Sequence, residues 1–111
     1  MVVVDVVLDK NGILKSCKAS GHANAGTKGN DMVCLAVSTF LRTAVKVLSD
    51  REGIHLKASA PNRGDYRLET DYSAQGKDFL RAAGIFLTEG LVSVSVEYPA
   101  HCKINIYETE E

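Results

Sequence analysis

Apolar positions repeat every second residue in the first twenty positions and every third or fourth after Asp31. Val2, Val4, Val6 and Leu8 alternate with Val3, Asp5 and Val7, and β-branched residues dominate, which predicts a strand buried on both faces for much of its length. Asp9-Lys10-Asn11-Gly12 carries an Asn-Gly pair, so a second strand from Ile13 to about Ser20 should return antiparallel. From Asp31 to Ser49 the period changes to that of a helix. Val33, Val37, Phe40, Ala44 and Val47 step by four and three, while Leu41, Val45 and Leu48 widen the stripe. Asp50-Arg51-Glu52-Gly53 ends that helix, with Gly53 suited to a left-handed cap.

Two strands follow, Ile54 to Ala60 and Tyr66 to Tyr72, around the turn cluster Pro61-Asn62-Arg63-Gly64-Asp65. Phe79, Leu80, Ala83, Phe86 and Leu87 then have helical spacing. Gly84 within that helix predicts close approach to another backbone. Leu91 to Tyr98 alternates like a strand, and Pro99 ends the element. Cys102 to Tyr107 reads as a last strand and Glu108 to Glu111 as a solvated acidic tail.

With 111 residues, 45% of them hydrophobic, the chain has room for a single domain over 1–111. So small a domain leaves apolar surface that a homodimer would cover. A net charge of −1 with no basic block argues against direct nucleic-acid binding, which needs clustered Lys and Arg. No run of the sequence reads as a membrane span, and Asp5 breaks the apolar start too early for a signal peptide. Three cysteines, Cys17, Cys34 and Cys102, are an odd count that fits a reduced cytoplasm. Neither Cys-x-x-Cys nor His-x-x-x-His occurs, and no metal or other cofactor is expected.

The candidate chemistry lies between the second strand and the first helix. His22 is followed by a loop, Ala23 to Asn30, with two glycines and no large side chain, which reads as exposed and mobile. Asn30 and Asp31 are good N-cap residues; with Asp31 as the cap, Cys34 occupies the third helical position. A helix N-terminus contributes about 0.3–1 kcal/mol to an anion, which lowers a thiol pKa of ~8.5 by about one unit at most. That leaves most of the thiol protonated at neutral pH, and a carboxylate at Asp31 opposes the effect. An imidazole that takes the proton is therefore required, and His22 is the candidate. The competing reading is a packed structural cysteine and an unrelated loop histidine. Asp31, Cys34 and Ser38 share one side of the first two turns, so Ser38 is either a small packing residue or a hydroxyl beside the thiolate. Cys17 reads as a packed side chain, and His55 as a solvent-facing strand residue.

Gly21-His22-Ala23, Gly29, Asp31-Met32-Val33-Cys34 and Ser38 together resemble the signature of the ribosomal-processing cysteine proteases, the Prp family, including the twelve-residue step from His22 to Cys34. Element order and length resemble that family over nearly the whole chain. The resemblance implies a helix, not a strand, over 91–98, and a catalytic dyad of His22 and Cys34 supported by Gly21, Gly29, Asp31 and Ser38. It also implies a cytoplasmic bacterial homodimer that removes the N-terminal extension of large-subunit ribosomal protein twenty-seven. Asn24-Ala25 stands where family members carry Gly-Tyr, a departure that bears on substrate preference.

The expected fold is a two-layer α/β (α+β) domain, a mostly antiparallel sheet with helices on one face, in the order β-β-α-β-β-α-(α)-β. Backbone N–H groups at the helix start would serve an oxyanion there. Two other classes remain open at this point: a non-catalytic ribosome-associated module that only binds a peptide, and a thiol-transfer protein in which Cys17 or Cys102 reaches Cys34.

Overall fold

The computed structural model describes residues 1–21, 28–61 and 64–111, and for 28–31 the backbone only. Five strands and two helices follow one another as β1 (Val2–Leu8), β2 (Leu14–Ser20), α1 (Lys28–Leu48), β3 (Ile54–Ser59), β4 (Tyr66–Tyr72), α2 (Lys77–Glu97) and β5 (Cys102–Glu108). The sheet order is β3-β4-β2-β1-β5. Every pairing is antiparallel except β1 with β5, which run parallel with Val2 opposite Cys102 and Leu8 opposite Glu108. This is the expected α+β architecture.

The Asn-Gly turn forms as the sequence predicts. Gly12 takes φ 74°, its N–H donates to the Asp9 carbonyl, and β2 returns antiparallel on β1. Burial of β1 is one-sided, however. Val2, Val4 and Val6 are buried while Val3, Asp5 and Val7 are only half-buried, because both helices cover the same face. Asp5 on the open face accepts a hydrogen bond from Asn105 Nδ2 at 3.0 Å, tying β1 to β5 there.

On α1 the buried stripe is Val33, Val37, Leu41 and Leu48, with Val45 and Ala44 beside it. Val47, placed in the stripe by its spacing, is 39% exposed. The helix ends at Leu48 with Asp50, not Gly53, in the left-handed region first (φ 57°); Gly53 follows at φ 81° in the turn into β3. Gly84 makes the expected close approach: a Cβ there would lie 2.8 Å from Cβ of Leu14. Gly90 does the same for the ring of Phe40, so the two helices cross where α2 has no side chain.

Residues 91–97 are the second half of α2, one continuous helix from Lys77. Their alternating pattern is compatible with a helix here because Leu87, Leu91 and Val94 pack against the core below, and tertiary burial overrides local strand propensity. One expectation is corrected by this helix: α2 is long and apolar enough to cross a membrane by length and composition. Leu80, Gly84, Leu87, Thr88 and Leu91 on its inner side are buried by the rest of the domain. Ile85, Phe86 and Val96 on the outer side are 54%, 75% and 73% exposed. The C-terminal tail is not simply solvated either. Thr109 N–H donates to the Leu8 carbonyl, and Glu111 reaches Lys15 at 3.0 Å.

Candidate active site

Register places one set of residues at a common end of the sheet. β1 and β5 begin there with Val2 opposite Cys102, and β2 ends there at Ser20, opposite Val3. β3 ends and β4 begins at the same side, with Ser59 opposite Arg67 and Tyr66 opposite Ala19. Backbone bonds close this end: Val2 N–H donates to the His101 carbonyl at 2.8 Å, and the N–H groups of His101 and Cys102 both donate to the Tyr98 carbonyl at 3.0 Å.

Gly21 sits where β2 leaves the sheet, at φ 138°. A Cβ at that position would collide with the Met1 carbonyl and lie 2.8 Å from Cα of Val2. Glycine is thus required for the strand to pass its neighbour and turn away, which gives the first residue of the signature a physical role. His22 and the loop expected after it lie outside the described residues up to position 27. Residues 28–30 are helical, so the loop is shorter than expected and Gly29 belongs to the first turn of α1.

That longer helix corrects the expectation for Cys34. Asp31 is inside the helix rather than its N-cap, and Cys34 lies six residues beyond Lys28, in the second turn. Each residue added to an existing helix gains a hydrogen bond, enough to absorb the cost of about 1 kcal/mol for Gly29. The field of a helix end fades within its first turn, so Cys34 receives less help from it than a third-position residue would. Its amide is also committed inside the helix and is not a spare oxyanion donor. Cys34 itself is half-buried and packs against the main core cluster. Ser38, one turn on, donates its hydroxyl proton to the Leu35 carbonyl at 3.2 Å. The side chain of Asp31 lies outside the described residues.

The three thiols have unlike surroundings. Cys17 is 1% exposed on the inner face of β2, where burial and then the charge of Asp5 push its pKa up to about 12. Cys102 is 3% exposed; burial raises its thiol, and a charge on Cys34 raises it further. Cys34 packs against the core cluster of which Cys102 is a buried member.

Farther along α1, a recess of about 310 Å³ opens between Leu41, Arg42 and Val45 of the helix and Ala58–Ala60 and Tyr66–Leu68 of β3 and β4. Sequence reasoning did not single out these residues. The run of small side chains at Ala58-Ser59-Ala60, facing a helix, was the available signal. His55 is exposed on β3, as expected.

A family profile described as cysteine protease Prp matches residues 1–103. The chain belongs to the Prp family of cysteine proteases. Solved structures agree in fold. SMU.848 from Streptococcus mutans is 26% identical, with a TM-score of 0.76, covering 98% of this chain and 96% of that one. The essential ribosomal processing protease Prp from S. aureus, solved in complex with a substrate peptide, is 19% identical with a TM-score of 0.80, over 96% of this chain and 99% of that one. The same S. aureus protease with a covalently linked product peptide gives 20% identity and a TM-score of 0.78, covering 96% and 99%. Among curated proteins none matches. As a Prp-family cysteine protease the chain needs one nucleophilic sulfur, and of its three thiols only Cys34 is not buried.

Proposed function

We propose that this protease removes the N-terminal extension of large-subunit ribosomal protein twenty-seven, with Cys34 as nucleophile and His22 as base and then acid. The observation that carries this reading is the family match over 1–103, which spans both residues. Cys34 is half-buried while Cys17 and Cys102 are sealed in the core, which supports it. In the reaction His22 takes the thiol proton, the thiolate attacks the scissile carbonyl, and the imidazolium returns the proton to the leaving amine. Water then hydrolyses the acyl-enzyme. Since the helix end contributes little at the second turn, the imidazolium supplies most of the stabilisation of the thiolate. The recess beside Leu41 and Tyr66 is large enough for an apolar side chain of the extension.

A cytoplasmic bacterial setting and a homodimer belong to the same proposal. The outer face of α2, with Ile85, Phe86 and Val96, offers the apolar area that a second copy would cover. Incubating the protein with its host's own ribosomal protein twenty-seven, and reading product masses, tests the substrate. Wild type should cut near the N-terminus, while Cys34→Ser and His22→Ala should lose at least about a thousandfold in rate with the fold intact. An active His22→Ala protein removes the dyad, and an uncut ribosomal protein removes the substrate.

A further inference from the structure

On the helix-covered face of β3 the row of large apolar side chains stops short. Ile54 is buried and Leu56 packs against the core, but Ala58, next on the same face, offers only a methyl group and is exposed. The recess of about 310 Å³ takes up the missing volume, with Leu41 and Val45 of α1 on one side and Tyr66 and Leu68 of β4 on the other. One rigid element ties it to the proposed nucleophile. Cys34, Ser38, Leu41, Arg42 and Val45 fall at i, i+4, i+7, i+8 and i+11, which is a single flank of α1. Leu41 lies seven residues beyond Cys34, or about 10 Å along a helix axis. An extended peptide covers that length in about three residues, at roughly 3.3 Å each.

We propose that this recess is the main specificity subsite of the protease: it takes an apolar side chain three residues from the cleaved bond, Ala58 sets the size admitted, and Arg42 turns away a cationic residue. This deepens the reading of Cys34 as the nucleophile and rests on it.

The walls decide the class of side chain. Most of the lining is hydrocarbon, from Leu41, Val45, Ala58, Ala60 and Leu68, so a charged or amide group seated there loses its water without gaining a partner. An aliphatic or aromatic side chain instead covers apolar surface that the fold leaves open. Arg42 stands at the rim, exposed and in no ion pair among the described residues. Its charge repels Lys or Arg at that position of the peptide and tolerates Glu. Binding energy gained here, away from the reacting atoms, holds the scissile carbonyl against the Cys34 sulfur and so raises kcat/KM.

The test profiles wild type on a digest of proteome peptides, with products sequenced by mass, then measures kcat/KM on synthetic peptides varied at each position around the bond. At the third residue on one side, Leu or Phe should exceed Ala by at least about tenfold, and Lys by more. Ala58→Leu fills the recess and should lower that Leu-to-Ala ratio at least about tenfold, in a variant shown by its melting temperature to be folded. Val45→Ala enlarges the recess and should move the preference from Leu towards Phe. Arg42→Glu should raise Lys relative to Leu at the same position. A preference confined to the residue next to the bond, or a third-position ratio that Ala58→Leu and Val45→Ala both leave unchanged, overturns the subsite and leaves the protease standing. The expected ratios in a protein that leaves ribosomal protein twenty-seven uncut support the subsite and remove only that substrate. A protein that cuts no peptide overturns both readings.

Discussion

The two ends of the sheet are built differently. At the end away from Cys34, side chains lock the turns. Asp9 Oδ1 accepts from the N–H groups of Asn11 at 2.8 Å and Ile13 at 3.0 Å, and Asp9 Oδ2 accepts the hydroxyl proton of Tyr72. The Arg51 guanidinium lies 3.8 Å over the ring of Phe79, and Ile13, Leu48, Ile54 and Leu80 form a second core cluster beneath. Burial alone would raise the Asp9 carboxyl, but the bonds from Tyr72, Ile13 and Asn11 and the charge of Lys77 outweigh it and hold the pKa below 3.8. The Cys34 end closes through backbone bonds and the contact of Gly21 with Met1 and Val2, beside a recess between α1 and the β3–β4 hairpin. Both ends are recessed, but differently: about 310 Å³ lined mostly by apolar and small side chains beside α1, against about 580 Å³ lined by Asp9, Lys15, Asp71 and Glu111 at the far end.

Thiol labelling breaks this contrast most directly. At pH 7.5 iodoacetamide should modify Cys34 at least about a hundredfold faster than Cys17 in the folded protein, as followed by peptide mass against time. Equal, slow labelling of all three thiols would mean that neither end is reactive, and would favour a peptide-binding module.

A pair of glycine substitutions sharpens the comparison. Gly21→Ala and Gly76→Ala each place a methyl against backbone, at Met1–Val2 and at the Gly53 carbonyl respectively. Each should cost about 1–3 kcal/mol by denaturant unfolding. Below the unfolding transition, Gly21→Ala should also slow peptide cleavage several-fold, because the residue after it is the proposed base. Gly76→Ala should keep wild-type cleavage per folded molecule. Equal activity in both would detach catalysis from the Gly21 bend.

The smallest effect is electrostatic. A carboxyl whose pKa is lowered by folding contributes stability above its unfolded value, and that contribution is lost as pH falls through the folded value. Asp9→Asn should therefore cost about 1 kcal/mol at neutral pH. The gap from wild type should close below pH 3.8, measured by thermal unfolding across pH. A pH-independent gap would mean that packing, not charge, locks that turn.

Strand and helix identities were legible wherever period and turn chemistry agreed, as at Val2–Leu8 with Asn11-Gly12 and along Val33–Leu48. Over 91–97 the pattern indicated a strand, and only the family resemblance indicated the helix, since the core contacts that decide it come from distant residues. The start of α1 was misplaced by three residues because good capping residues at Asn30 and Asp31 are absorbed once the helix propagates. Local sequence could propose Cys34 as a nucleophile but could not show that the core it packs on joins Val2 of β1 to Cys102 of β5. That join requires the parallel pairing of β1 with β5.

The same pairing has a consequence for when the enzyme exists. β5 lies beside β1, from which it is far removed along the chain, and supplies Cys102 and Ile104 to the interior. Closing so long a loop comes late in folding, and until it closes the core lacks the piece that seals its floor. Proteolysis should thus appear only once β5 has paired with β1.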